Sequence, residues 1–367
     1  MSAALIVRDE AASLRRCLSS IADVVDEIVV VDTGSVDESV EVAESFDAIV
    51  LHRPWDGQFA APRNLGLDRV TGDWVLYIDA DEWLVPTTRQ HLEQELADPR
   101  REHLAMRLRL KIRSDFTPLW EYRLWRNRHD IRFEGLIHES HVACIRRIVE
   151  AEDLRVGHAD LLIHHDGYEG DRTPKHRRNL PLLEAQVAND PDRTYLWTHI
   201  GRAHDALGDS DAALDAWRQA VSIIRRNGVR EHVDCLAYVD LILAQSGRGA
   251  HAQPLVDEAD ELFPDNALIL WAGAVHASAL EEHRQVIDRV DRLLAIDPDE
   301  TARHGLTLNE HTIGDWAHHL RGLAKFHVGD HRGAAADFAM AEHLAPEVGE
   351  YRYKHLLARA RAEHGNT

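Results

Sequence analysis

Residues 75–83 read VLYIDADEW, and this stretch decides how the first half of the chain is read. Val75, Leu76, Tyr77 and Ile78 are strand formers, and the run ends abruptly in Asp79, Ala80, Asp81 and Glu82. Three carboxylates at the exit of a buried strand repel one another, so something must compensate the charge. A divalent ion carrying a phosphorylated ligand is the usual solution. The triplet therefore marks a candidate site and suggests a nucleotide diphosphate. An Asp-x-Asp alone is weak, because most short acidic triplets are solvated turns.

Working outward, strand and helix signals alternate. Residues 3–7 form a short apolar strand, and 11–25 have helical spacing with Leu14, Leu18, Ile21 and Val25 on one face. Residues 27–31 (EIVVV) read as a second strand ending at Asp32, Thr33, Gly34 and Ser35. A helix over 37–45, a strand over 48–52 and a helix over 63–70 follow, and 71–73 (TGD) turn into the strand before the triplet. Such alternation with short connections implies an α/β domain with a parallel sheet covered on both faces. Ligands bind outside the carboxyl ends of such strands, which is where Asp32 and Asp79 both fall.

Residues 104–113 (LAMRLRLKIR) alternate cleanly: Leu104, Met106, Leu108, Leu110 and Ile112 face one way, Arg107, Arg109, Lys111 and Arg113 the other. The basic face is either solvated or an anion-attracting wall beside the site. After about residue 175 only helices are expected. Trp197, Ile200, Gly201, Gly208, Ala213, Trp217 and Ala220 have the spacing of a tetratricopeptide helix pair. Gly247, Ala252, Ala259 and Pro264 repeat part of it, Gly329, Ala334, Phe338, Ala341 and Pro346 repeat it again, and 295–298 (AIDP) read as another repeat end. The expected domains are 1–174 and 175–367. The helical half is either a concave surface for a partner or extended substrate, or a stabilising or dimerising appendage.

The chain has 367 residues, enough for two domains, and a net charge of -21. That charge argues against a general nucleic-acid binder and against docking on an anionic membrane. Cys17, Cys144 and Cys235 form no CxxC pair, as expected in a reducing, cytoplasmic setting. The sequence shows neither a signal-peptide pattern nor an apolar stretch long enough to span a bilayer.

Several blocks in order, LIVRDEAASLRRCLSSI, DEIVVVDTGSVDES, FAAPRNLGL, VTGDWVLYIDADE, RLWRNRHDIRFEGLIHE and IHHDGY, resemble the family 2 glycosyltransferases. The resemblance covers roughly residues 3–180. It implies a GT-A fold, a Rossmann-like mixed sheet flanked by helices. The subgroup with a C-terminal tetratricopeptide-like region is similar to lipopolysaccharide-core glucosyltransferases and to enzymes that glycosylate bacteriocin peptides on cysteine or serine.

The resemblance implies an inverting, metal-dependent transfer of a hexose from a UDP-sugar to a peptide side chain or a saccharide. On this pattern Asp32 accepts from the uracil ring, and Val7, Arg8 and Glu10 lie at the end of the first strand near the base. Asp32 could instead cap the helix near Asp37. Arg63 is expected near the nucleotide. Asp79 lies toward ribose and metal, Asp81 on the metal with Glu82 behind it, and His165, rather than His164, closes the metal shell. The ion would be Mn²⁺ or Mg²⁺. Glu139 is the candidate base, with Glu134 and His138 left open. Glu139 could equally cap a helix or pair with an arginine such as Arg132. Arg123, Arg126, Arg128 and Arg132 surround this block, and one of them could contact a diphosphate or an anionic acceptor. The helical repeats could contact the acceptor or support a homodimer. A rival reading is a tetratricopeptide scaffold with an inactive GT-A half. Nucleotidyl transfer is disfavoured, because residues 7–14 (VRDEAASL) contain no glycine.

Overall fold

The computed structural model describes residues 1–97, 102–165 and 172–364. It divides into two compact units, Met1–Ser114 with Pro118–Asp190, and Asp115–Thr117 with Pro191–Thr367.

The first unit opens with β1 (Ser2–Val7), α1 (Ala11–Ile21), β2 (Glu27–Asp32), α2 (Ser39–Glu44), β3 (Ile49–His52), α3 (Ala60–Arg69) and β4 (Trp74–Tyr77). It continues with β5 (Glu82–Leu84), α4 (Arg89–Glu95), β6 (His103–Lys111), β7 (Leu119–Arg126), α5 (Val142–Glu152), β8 (Arg155–His165) and α6 (Thr173–Asn189). One eight-stranded sheet results, in the order β3-β2-β1-β4-β7-β6-β8-β5. Helical crossovers make β3, β2, β1 and β4 mutually parallel. Beyond β4 the alternation stops: β6 and β7 follow one another without a helix and pair antiparallel, as do β4 and β7. The sheet is therefore mixed, in the GT-A manner, and not wholly parallel.

Both faces are covered. Leu14, Cys17, Leu18 and Ile21 of α1 pack with Leu5, Val30 and Leu76 in one buried cluster, while Leu67, Trp125, Ile131 and Ile145 pack with Ala4, Val29 and Val75 in another. Helix α1 stops at Ile21, short of the expected 25, and Val24 and Val25 are buried in the turn that follows. Helix α3 starts at Ala60, earlier than expected, because Pro62 is tolerated in a first turn whose N–H groups have no helical partner. Among the described residues only helices follow from Thr173 on, in line with the change expected after about residue 175, and the compact first unit runs on through α6 to Asp190. Gln186 of α6 binds the backbone of Leu136 and Ile137, which ties the helix to this unit.

In β6, Leu104, Met106, Leu108 and Leu110 are buried. On its basic face Arg109 is paired with Asp160, and Arg107 donates to the Trp120 carbonyl at 2.6 Å. These two arginines are engaged by the neighbouring strands.

The second unit contains α7 (Thr194–Ala206), α8 (Ser210–Asn227), α9 (Cys235–Gly247), α10 (Gln253–Leu262), α11 (Ala267–Ala279) and α12 (His283–Leu294). It continues with α13 (Pro298–Arg303), α14 (Asp315–His327), α15 (His331–Leu344) and α16 (Gly349–His364). These are tetratricopeptide-like repeats. A large side chain of one helix lies against a glycine of its partner: Trp217 against Gly201, Arg289 against Gly273 and Phe338 against Gly322. Among the described residues no helix is long and apolar enough to cross a membrane.

Candidate active site

The parallel strands bring the acidic residues to one edge. Strands β2 and β4 flank β1, with Val7 in register with Asp32 and Ala4 in register with Tyr77. Asp32 and the turn after β4 thus emerge side by side at the carboxyl ends, where an α/β sheet leaves a crevice.

Asp32 is 5 % exposed. Its carboxylate accepts the N–H of Gly34 at 3.1 Å and of Ser35 at 3.0 Å, and lies 3.4 Å from His52 Nδ1. Burial pushes this carboxyl up, but the bonds from Ser35, Gly34 and His52 outweigh it and hold the group below the usual carboxylate range. Gly34 sits at φ 106°, a left-handed geometry that lets the turn fold back onto the carboxylate. The Val7 carbonyl accepts from Thr33 N at 2.9 Å and Thr33 Oγ1 at 3.0 Å. Arg8 is half-exposed, with Nε 3.8 Å from Asp9. Glu10 precedes α1, and its N–H donates to Ser39 Oγ at 2.9 Å. Burial and then the nearby Asp81 raise its carboxyl.

Asp79 and Asp81 point to different partners. Asp79 Oδ1 is 2.8 Å from Arg63 Nη1, and Asp79 Oδ2 accepts from Tyr77 Oη at 3.2 Å. Burial raises the Asp79 carboxyl, yet Arg63 and then Arg123 more than offset this and keep it ionised. Asp81 Oδ2 lies 3.2 Å from His165 Nε2. Pairing of β5 with β8 sets Glu82 opposite His165 and Trp83 opposite His164. His165 therefore reaches the acidic turn, whereas His164 stacks on Trp83 with ring centroids 5.1 Å apart. Burial lowers the His165 imidazole, but Asp81 prevails and raises it. Asp166, Gly167 and Tyr168 of the same block lie outside the described residues.

Glu82 holds the turn from behind. It is 2 % exposed, accepts the Asp79 N–H at 2.8 Å, and takes a two-pronged bond from Arg123 at 2.9 and 2.8 Å. Arg63, also buried, bridges two segments: Nη1 meets Asp79, and Nε donates to Glu139 Oε1 at 2.5 Å. Its guanidinium lies 4.6 Å from the Tyr77 ring centroid and 5.5 Å from that of Phe133. Glu139 thus joins the Asp79 network, through Arg63 and not Arg132, which pairs with Asp68 at 2.8 Å. Glu134 is exposed and turned toward Cys144 Sγ at 3.6 Å. His138 adopts a left-handed backbone, φ 48°. Nearby His141 is 5 % exposed among Trp125, Phe133 and Tyr77, and burial, then Arg123 and Arg63, push its imidazole down to about 3.

Among the described residues no three His, Cys, Asp or Glu groups form a ready-made metal cluster. Asp81 and His165 supply two adjacent donors of the right chemistry, while Asp79 is drawn to Arg63. This fits an ion that brings its remaining oxygen ligands with a diphosphate, as Mg²⁺-type sites do. Two contributors escaped the sequence reading. Tyr77, read only as a strand former, shares a strand face with Asp79 at spacing two and supports its carboxylate. The Arg123–Glu82 fork joins residues 41 apart and has no local signal.

Residues 2–153 match the family model "Glycosyl transferase family 2". The N-terminal part of this chain is a family 2 glycosyltransferase domain, and tetratricopeptide-like repeats follow it. A TPR repeat-containing protein of Synechococcus elongatus is 37% identical over 220 residues, 58% of this chain and 54% of that protein. The SPbeta prophage-derived glycosyltransferase SunS of Bacillus subtilis is 23% identical over 265 residues, 66% of this chain and 58% of SunS. The chain thus spans just over half the length of these relatives. Among solved structures, the glucosyl-3-phosphoglycerate synthase of Mycobacterium tuberculosis, in complex with Mn²⁺, UDP and glucosyl-3-phosphoglycerate, aligns at 15% identity with a TM-score of 0.38. That alignment covers 51% of this chain and 78% of the synthase.

Proposed function

We propose that this protein is an inverting, divalent-metal-dependent glycosyltransferase that moves a hexose from a UDP-sugar to a peptide side chain or a saccharide. The observation that carries the reading is the gathering of Asp32, Asp79, Asp81 and His165 at one carboxyl edge of the sheet of a family 2 domain. Asp32, held ionised by its own turn, would accept an N–H of the uracil ring, with Val7, Arg8 and Glu10 beside it. Asp81 and His165 would hold Mn²⁺ or Mg²⁺, with Asp79 alongside. The ion would neutralise the departing diphosphate.

Inversion by direct displacement requires a group that takes the acceptor proton as the new bond forms. Glu139 suits this role: Arg63 engages Oε1, keeps the carboxylate oriented, and leaves Oε2 to receive the proton. The acceptor would approach from the segment that carries Glu139, with the repeats offering it further contacts.

Calorimetry with UDP, in Mn²⁺ and in chelator, tests the reading. UDP should bind only with the ion present, and Asp81→Asn should weaken binding by about tenfold or more. Equal binding in chelator would remove the metal from the proposal.

A further inference from the structure

Three carboxylates crowd the exit of β4, and each has its own partner. Asp79 is paired with Arg63, Glu82 with Arg123, and Asp81 faces His165. The Glu82–Arg123 pair is the most deeply buried of the three, its side chains 2 % and 4 % exposed. A buried ion pair costs about as much in lost hydration as it returns, so stability is a weak reason for having one. Its place behind the acidic turn supplies a stronger reason.

Glu82 Oε2 is the junction. It accepts the Asp79 N–H at 2.8 Å and Arg123 Nη1 at 2.9 Å, while Oε1 accepts Arg123 Nη2 at 2.8 Å. The Glu82 N–H donates back to the Asp79 carbonyl at 3.0 Å, so residues 79–82 form a turn closed from both ends, and Asp81 lies inside it. The Cys17 thiol donates to the same carbonyl at 3.4 Å. Glu82 is also in register with His165 in the β5–β8 ladder. One residue therefore meets both segments that supply the ion donors, the turn with Asp81 and the strand end with His165. Arg123 reaches this junction from β7. Val75 is opposite Trp125 and Leu76 opposite Leu124, so the next residue, Arg123, comes level with the end of β4. Its guanidinium lies 4.7 Å from the Tyr77 ring centroid, and its Nε donates to Glu121 Oε2 at 3.1 Å. Ring, Glu121 and fork together fix the guanidinium plane, which an ammonium group could not reproduce.

We infer that Arg123 is a positioning residue for the ion site: its fork on Glu82 braces the acidic turn and keeps Glu82 away from the ion, so that Asp81, with His165, is presented to it. The inference rests on the nucleotide-sugar reading above and assigns what sets the ion site within it. Without the fork, Glu82 is a buried carboxylate with no cation of its own and is driven out of the turn. The Asp79 N–H then loses its acceptor, and Asp81 loses the frame that aims it at His165. Residues that orient metal ligands from behind in this way are typically worth ten- to a hundredfold in metal affinity, about the size of effect expected here.

The test follows Mn²⁺ uptake by electron paramagnetic resonance in excess UDP, alongside the melting temperature, for the full-length wild type and the R123K and E82L/R123M variants. E82L/R123M keeps much of the volume of the pair and leaves neither charge buried, so it should melt close to wild type. Its Mn²⁺ affinity should nevertheless fall by about tenfold or more. R123K keeps the charge and loses the fork, and its Mn²⁺ affinity should also fall by about tenfold. A stable E82L/R123M with wild-type Mn²⁺ affinity would mark a pair that only packs, and would overturn the inference while leaving the nucleotide reading intact. Should E82L/R123M fail to fold, R123K decides: wild-type affinity overturns the inference, and a tenfold loss at an unchanged melting temperature upholds it. A wild type that takes up no Mn²⁺ with UDP would overturn both the inference and the reading beneath it.

Discussion

Arg63 holds two carboxylates, Asp79 and Glu139, while packed beneath the rings of Tyr77 and Phe133. A buried arginine with one partner removed leaves an uncompensated charge, so these three side chains stand or fall together structurally. Their chemical roles can still be separated. Glu139→Gln keeps a side-chain oxygen for Arg63 Nε but cannot take a proton. Turnover of UDP-sugar and acceptor should fall by roughly 10²–10⁴-fold, the usual worth of a general base. UDP affinity by calorimetry should change by no more than about twofold, since Glu139 is not placed on the donor. Near-normal turnover would return the role to Glu134 or His138. The placing of Asp32 and Asp79 at neighbouring strand ends was legible in the sequence, because each follows a run of strand formers, whereas His165 was singled out by the resemblance alone. The partner of Glu139 was not legible: the sequence offered Arg132, seven residues earlier in the same RFEGLIHE block, whereas the actual partner lies 76 positions away. Long-range pairing of this kind is fixed by sheet order, which a single sequence does not print.

At the scale of elements, periodicity carried most of the reading. The alternation in β6 was legible because its apolar face is buried, but the use of its basic face depended on Trp120 of β7 and Asp160 of β8, both supplied by sheet pairing. The mixed sheet was less legible, because parallel and antiparallel partners leave the same alternation in a strand. In the repeats, Gly201, Trp217 and Phe338 stood out, but the same sixteen-residue interval recurs at Gly273/Arg289 and Gly322/Phe338 and passed unnoticed, since arginine does not look like a packing residue and Gly322 was not matched to Phe338. Each glycine admits a bulky neighbour. A Cβ on Gly201 would fall 2.3 Å from Trp217 Nε1, whose N–H donates to the buried Thr198 carbonyl at 3.2 Å. Gly201→Ala should therefore destabilise the repeats by about 1–3 kcal/mol, the usual cost of overpacking. Thermal denaturation followed by circular dichroism would measure this, and adding Trp217→Leu should recover part of the loss. An unchanged melting temperature for Gly201→Ala would show that the α7–α8 contact is slack.

At the scale of the whole molecule, the question is whether donor chemistry and repeats are separable. Each unit has its own buried clusters: Leu18, Val30 and Leu76 belong to one in the first unit, Trp217, Tyr238 and Ile242 to one in the second. Every residue proposed for the donor, from Val7 to His165, lies in the first unit. A ligand that binds only the folded state stabilises what it binds, by about 2.7 kcal/mol at a hundredfold excess over its dissociation constant. UDP with Mn²⁺ should therefore slow amide hydrogen exchange around β1, β2, β4 and the acidic turn, and leave α14–α16 unaffected. The Gly201→Ala variant should show the same protection by UDP despite its weakened repeats. Equal slowing in α14–α16 would mean that the donor is read by the molecule as one cooperative body, and the acceptor would then have to be sought with donor and repeats considered together. Protection confined to the first unit would free the helical surface for the acceptor. Recognition spread over such a surface has no motif, so the sequence carries no signal for an acceptor of the kind that the acidic turn carries for a nucleotide.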